Sequence, residues 1–300
     1  MLGYGFWVLS LLVKIMLKDR LIFGTLMAVF FTVVVILGGW LDGSLTASLT
    51  DDKPIQGTML CVFVALLMIP AQLEFSKLAA VKKLKVFTPV TIIASILFAT
   101  SWYLPQLIGI QPGIYLLFLL AFSLMGLFFA QYLCYGTLAV LTNCGVSCFS
   151  IVYLGLLSAF CVAVRIDFGL WPFLMFVCVI KTSDIGAYTA GKLFGRHKFS
   201  PLISAGKTWE GMAGAVVVAV IVAVLFAVSS DIMSWWLAVV FGFCFAFIGQ
   251  FSDLAESMIK RDAEQKDSAN NVPGFGGILD VVDSLLLSAP FVYLFFMCSF

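Results

Sequence analysis

Asp253, Ser257 and Lys260 are spaced by four and three residues, and Asp280 and Asp283 by three. On helices each set falls on one face, with Glu256 beside the first. Three carboxylates and a hydroxyl are hard oxygen donors of the kind Mg2+ takes, its remaining positions going to water and substrate phosphate. Zinc does not suit the set, which lacks histidine or paired cysteine ligands. A carboxylate at membrane depth is costly unless it faces a polar cavity or binds something. The simplest alternative is structural: Asp253, Asp280 and Asp283 would pair with Lys260, Arg261 or Lys266 and fix helix packing. Three aspartates clustered at helix ends beside a basic loop favour a site over that alternative.

The basic loop lies in the passage from Lys181 to Gly211. It leaves an apolar segment carrying Lys181 and Asp184, passes Tyr188, and then presents Lys192, Arg196, His197, Lys198 and Lys207 among glycines and serines. Lysine and arginine supply charge-assisted hydrogen bonds to phosphate, and glycine lets backbone N–H groups approach an anion. A positive-inside loop without a ligand would have the same composition. Gly206 to Thr208 matches the end of a P-loop, but Pro201 stands where the first glycine is required. Between the two aspartate sets, Pro273 to Gly277 reads as a tight turn that brings Asp280 close to Asp253.

These residues must be held by membrane helices. Of 300 residues 62% are hydrophobic and 11% charged, far from the soluble balance of about 25% charged. Mean hydropathy is +1.12. The fold class is an all-α polytopic membrane protein with a cytoplasm-facing polar cavity in its C-terminal half. A bilayer core needs roughly 20 apolar residues per helix, and about nine spans fit, near 21–40, 57–73, 86–104, 113–133, 147–164, 169–182, 209–229, 235–252 and 278–299. The sixth reads as short. Residues 1–165 then embed the protein and offer oligomer contacts, and 166–300 form the catalytic region. With nine spans the basic clusters Lys14–Arg20, Lys77–Lys85, Lys192–Lys207 and Lys260–Lys266 all fall on one side. That side is cytoplasmic by the positive-inside rule, which puts the N-terminus inside too. The N-terminal segment lacks a basic start and a small-residue cleavage site and reads as an interfacial helix rather than a removed signal peptide. Eight scattered cysteines without CxxC spacing read as buried small hydrophobes.

In order and spacing, "SMIKR", "KDS", "PGFGGILD" and "DVVD" resemble the signature of the phosphatidate cytidylyltransferases, also called CDP-diacylglycerol synthases. The upstream "SDIGAYTAGKLFGRHKFSPLISAGKTWEG" is similar to a second block of that family. The likeness is specific over about residues 181–290; the first half shares only its hydrophobicity. Two positions depart from the pattern: Phe275 replaces a histidine and Val281 an arginine. Chemistry assigned to that histidine is therefore not available to this chain, which reads as a variant branch that dispenses with it.

The resemblance implies transfer of CMP from CTP to phosphatidic acid, giving CDP-diacylglycerol and pyrophosphate. It implies Asp253, Asp280, Asp283 and Lys260 as catalytic residues, with Asp253, Ser257, Asp280 and Asp283 holding Mg2+; a second cation is left open. Lys207 and Arg261 would bind phosphates with Lys260, joined by Asp184, Tyr188, Lys192 and Lys266. The expected partners are CTP, phosphatidic acid and the bilayer, with a homodimer left open and no nucleic acid. The expected location is the inner cell membrane, with the site facing the cytoplasm. Two other classes compete. Intramembrane aspartates and lysines also build cation or proton pathways, but no inverted repeat is evident and the charges crowd one side rather than the midplane. A non-catalytic lipid-binding relative is the third reading, motivated by the two departures.

Overall fold

The computed structural model describes residues 26–27, 29–45, 53–269 and 276–299. The Lys14–Arg20 cluster, the N-terminal interfacial segment and Phe275 lie outside them. Among the described residues the chain is almost wholly helical, and an isolated β-bridge joins Lys198 to Thr208. Seven helical stretches are long and apolar enough to cross a membrane: Thr58–Val81, Pro112–Tyr135, Val140–Asp167, Leu170–Phe194, Trp209–Ser230, Trp235–Asp262 and Ile278–Ser299. Two apolar helices are shorter, Val29–Asp42 and Thr88–Ala99. The protein is an integral membrane protein. We label the helices α1 (Val29–Asp42), α2 (Thr58–Val81), α3 (Thr88–Ala99), α4 (Leu104–Ile108), α5 (Pro112–Tyr135), α6 (Val140–Ser150) and α7 (Leu157–Asp167). There follow α8 (Leu170–Phe194), α9 (Trp209–Ser230), α10 (Trp235–Asp262), α11 (Ile278–Leu286) and α12 (Ser288–Ser299).

The segment expected to be short, 169–182, continues as α8 for 25 residues to Phe194. Its later polar residues are not loop: Lys181, Asp184, Tyr188 and Lys192 ride on the helix, spaced to share one face. The helix runs on because nothing breaks it before Gly195. The last segment is divided into α11 and α12. Pro290 accounts for the break, since its ring clashes with the carbonyl four residues earlier, at Leu286, where α11 ends. α6 and α7 form one rod through a π-helical turn, Ile151–Leu156.

Small residues set the spacing of the helices around the site. On α9, Ala215, Ala219, Ala223 and Ala227 recur every fourth residue as a buried stripe. A Cβ on Gly186 of α8 would lie 2.7 Å from the Gly214 carbonyl of α9, and one on Gly242 of α10 would lie 2.5 Å from the Val220 Cα. Backbones in this three-helix layer therefore touch, which is how helices gain packing energy in lipid, where no hydrophobic effect drives them together. Phe241 and Phe245 of α10 then pack on Phe295 and Phe296 of α12.

The two ends of the bundle differ in charge. At one end Lys82 meets Asp262 and Glu264 at 3.7 and 3.8 Å, and the Arg261 Nε donates to the Ile203 carbonyl. Three basic clusters, Lys77–Lys85, Lys192–Lys207 and Lys260–Lys266, thus share that end. At the other end a buried Arg165 reaches Asp42 at 3.3 Å and Ser44 at 2.7 Å, and Asp167 accepts from Trp102 and Tyr293.

Candidate active site

α10 enters the basic end carrying Asp253, Glu256, Ser257 and Lys260, spaced to stay on one helical face. Asp253 lies nine residues before the end of α10, about 13 Å along the axis. α11 approaches from the opposite direction and carries Asp283. Oxygen atoms of Asp253, Glu256 and Asp283 lie within 4.8 Å of one another. Two of these belong to the set expected from the sequence; Glu256 joins them, and Ser257 lies buried next to it.

Each carboxylate has its own lysine. Lys207, from the loop between α8 and α9, meets Asp253 at 2.8 Å, Lys260 meets Glu256, and Lys181 of α8 lies 3.8 Å from Asp283. Three negative charges this close would repel strongly in a medium of low dielectric constant, and the three ammonium groups offset them. The lysines are also fixed from behind. Lys207 donates to the Gln250 carbonyl at 2.7 Å, and Lys181 donates to the Val281 carbonyl and the Ser284 hydroxyl, both at 2.7 Å. The Gln250 side-chain amide in turn donates to Asp184 at 2.8 Å. Asp184 therefore borders the cluster through Gln250.

Asp280 has a different place. Its carboxylate accepts from Lys260 at 2.5 Å, from the Ser268 N–H and hydroxyl at 2.9 and 2.7 Å, and from the Gly277 N–H at 2.8 Å. Position three of α11 makes this geometry natural, because an acidic side chain there bends back to the N-cap N–H. Asp280 thus joins the cluster through the shared Lys260, not through its own oxygens.

A second carboxylate completes the cap, and it comes from the first half of the chain. Glu74 of α2, almost fully buried, accepts from the Ile278 and Leu279 N–H groups at 3.0 Å each and shares the single Ser268 hydroxyl proton with Asp280, 3.1 Å from its own oxygen. Orphan N–H groups at a helix start need such acceptors, and the helix dipole favours the negative charge. The turn before α11 fits closely around it: Gly276 has φ +98°, which favours glycine, and a Cβ on Gly277 would sit 2.0 Å from the Ser268 Oγ. On the far side of α11 the Ser252 hydroxyl donates to the Asp283 carbonyl and accepts from the Leu287 N–H, clamping the helix break to α10.

The remaining expected residues stand outside this core. Tyr188 and Lys192 continue the α8 face beyond Asp184, the Lys192 ammonium 5.7 Å above the Tyr188 ring. Arg261 holds the Ile203 and Gln265 carbonyls and so ties the basic loop to the end of α10. Lys266 is exposed. Glu74, Gln250 and Ser252 were missed by the sequence reading, and Glu256 and Lys181 were noted without a role. Glu74 did carry a signal, a carboxylate inside an apolar stretch.

A sequence model described as the cytidylyltransferase family matches residues 18–299 of the chain. Among curated proteins, it is 38% identical over 146 residues to a phosphatidate cytidylyltransferase of Bacillus subtilis (strain 168), covering 47% of this chain and 54% of that one. It is 37% identical over 131 residues to that of Chlamydia muridarum (42% and 43%) and 36% over 133 residues to that of Haemophilus influenzae (43% and 46%). The chain spans about half the length of the curated relatives it matches. With the family's pattern extending over nearly all of its length, the chain belongs to the cytidylyltransferase family.

Proposed function

We propose that the protein is a phosphatidate cytidylyltransferase, transferring CMP from CTP to phosphatidic acid to form CDP-diacylglycerol and pyrophosphate. The observation that carries this reading is the cluster of Asp253, Glu256 and Asp283, each matched with a lysine, at the basic end of a membrane bundle. The names of the relatives support the same substrates. In the reaction an oxygen of the lipid phosphate bonds to the α-phosphorus of CTP. The bond from that phosphorus to the bridging oxygen of the β-phosphate breaks, and pyrophosphate leaves with the electron pair. The attacking oxygen is already ionised, so no general base is required; the difficulty is bringing anion against anion.

The donor set fits a divalent ion. It offers three carboxylates within coordinating distance, and the buried Glu256 Oε1 has no hydrogen-bond partner among the described residues. Mg2+ held by Asp253, Glu256 and Asp283, with Ser257 and Asp280 in support, would neutralise phosphate charge and polarise the phosphoryl group. Lys207 and Lys260 lie where their ammonium groups can hold phosphate oxygens while still touching their carboxylates. Lys181 and Asp184 orient Asp283 and Gln250, while Arg261, Lys192, Tyr188 and Lys266 make the entrance attractive to an anionic nucleotide. The site opens at the inner-membrane cytoplasmic face, where CTP is dissolved, and the acyl chains reach it sideways from the leaflet. A homodimer, left open by the sequence, is tested by mass measurement in nanodiscs.

Labelled CTP and phosphatidic acid given to the purified protein test the reading. CDP-diacylglycerol should form, stop on chelation and return with Mg2+. Purified, folded protein that yields no lipid product at saturating Mg2+ would overturn it, and ion flux in its place would point to transport.

A further inference from the structure

The corner between α2 and α3 forms a cavity of about 300 Å3 that shares no residue with the carboxylate cluster. Lys77, Lys83 and Lys85 line it, together with Ser76 and Thr88. That volume is within the range of small-ligand sites. Its charge is lopsided. Lys82, at the same corner, pairs with Asp262 and Glu264, whereas the three lining lysines meet no carboxylate among the described residues. Like charges gathered around one hollow repel one another, and an anion placed in it would offset them.

The backbone of the corner points the same way. α2 ends in a turn in which the Leu84 N–H donates to the Ala79 carbonyl at 3.1 Å and the Lys83 N–H to the Ala80 carbonyl at 2.9 Å. This double closure puts the residue after the C-cap in the left-handed region, a position usually filled by glycine. Lys83 holds it instead, with φ +59°. A residue with a Cβ costs free energy there, so the turn by itself is better served by glycine. What the lysine adds is a third cation at the cavity.

Along the same face of α2 the surface is apolar. Met59, Val62, Leu66, Ile69 and Leu73 are all exposed, and steps of three and four residues carry their stripe on to Ser76, Lys77 and Ala80 at the cavity. From Met59 to Leu73 the stripe measures about 21 Å, long enough to accompany the acyl chains of one leaflet, half of a core about 30 Å thick. We propose that the α2–α3 corner binds an anionic phospholipid, its phosphate held in the cavity by Lys77, Lys83 and Lys85 and its acyl chains lying along the exposed stripe of α2. Lysine ammonium groups give charge-assisted hydrogen bonds to phosphate. A choline head group would set its own cation against three lysines, and a free anion would make no use of the stripe. A basic surface that only obeys the positive-inside rule needs neither a hollow nor a lysine in the left-handed region. The site goes beyond the reaction proposed above and does not depend on it.

Native mass spectrometry of the full chain, titrated with phosphatidylglycerol or phosphatidylcholine in the absence of CTP, is the test. The parent should bind phosphatidylglycerol the more tightly. Lys83→Gly should weaken that binding about 5-fold, the worth of one lysine at an anionic lipid surface. Its unfolding midpoint without added lipid should stay the same or rise, because glycine takes the left-handed position freely. Lys198→Gln removes a lysine from the same end of the bundle, outside the cavity, and should leave binding unchanged. No preference between the two lipids, no weakening by Lys83→Gly, or equal weakening by both variants overturns the proposal, the last because it reveals only a diffuse surface charge. Should Lys83→Gly lower the midpoint, Lys77→Gln, on regular helix, takes its place in the same comparison. Inorganic phosphate that binds the parent as tightly as phosphatidylglycerol makes the cavity a free-anion site, and a two-chain mass that excludes lipid gives the face to a second copy; either result overturns the proposal.

Discussion

Glu74→Gln removes one charge and changes the shape of the side chain hardly at all, so it isolates what the α2 carboxylate does for α11. Among the described residues the carboxylate accepts from the Ile278 N–H at Oε1 and from the Leu279 N–H at Oε2, where it also shares the one Ser268 hydroxyl proton with Asp280. A glutamine has one acceptor oxygen. Its best rotamer keeps that oxygen at the Oε2 position with two partners and turns an NH2 group toward the Ile278 N–H. The minimum loss is therefore one charge-assisted hydrogen bond, about 1.5–3 kcal/mol, plus the favourable charge at a helix start, about 0.3–1 kcal/mol. The sum is about 2–4 kcal/mol, concentrated on the first turn of α11. Asp280 is two residues beyond the first N–H that Glu74 holds and Asp283 five. Loosening that turn should raise the Mg2+ concentration needed for half-maximal turnover as well as lower the unfolding midpoint. Thermal unfolding in detergent and Mg2+-titrated turnover read the two effects. A variant with the parent's midpoint and the parent's Mg2+ dependence would refute the claim that Glu74 positions the site.

Asp283→Asn keeps the shape of the residue facing Lys181 but removes a carboxylate from the cluster; turnover should fall more than about 100-fold, with the protein still inserting and purifying normally, and retained turnover at ordinary Mg2+ would remove Asp283 from the cation site. Lys260→Met strands Glu256 and Asp280 in buried positions, and breaking such a pair from one side costs about 3–5 kcal/mol; an unaltered unfolding midpoint would show that the pair is not needed for stability. Gly277→Ala drives a methyl group into Ser268 and Glu74, an overpacking expected to cost about 1–3 kcal/mol; parent-like stability would mean that the cap can open freely to admit it.

Hydropathy located the membrane segments but ended three of them too early, and all for the same reason. The span read as 57–73 stops just before Glu74, the one read as 169–182 stops beside Lys181 and Asp184, and the one read as 235–252 stops just before Asp253. In the structure α2 continues to Val81, α8 to Phe194 and α10 to Asp262. Polar residues lowered the local hydropathy where the helices turn toward the site, so the apparent end of each span marks its functional face. Asp253 and Asp283 were legible because three- and four-residue spacing fixes which side chains share a helix face. The difference between Asp280 and Glu256 was not legible. Both are one turn from a cluster aspartate, and only the closure of α11 against Glu74 and Ser268 decides that Asp280 faces the cap while Glu256 faces Asp253 and Asp283.

Ion pairing alone does not account for the cluster. Matching three carboxylates to three lysines explains how six charges are tolerated inside a bundle, and a purely structural network could do the same. Such a network is expected to satisfy its buried polar atoms, because a half-satisfied one is worse than an apolar core. This one leaves the buried Glu256 Oε1 without a hydrogen-bond partner among the described residues. A divalent ion held by Asp253, Glu256 and Asp283 would supply the partner that oxygen lacks. Glu74 comes from the other half of the chain, so the helix that carries Asp283 is set in place only when α2 packs against the start of α11.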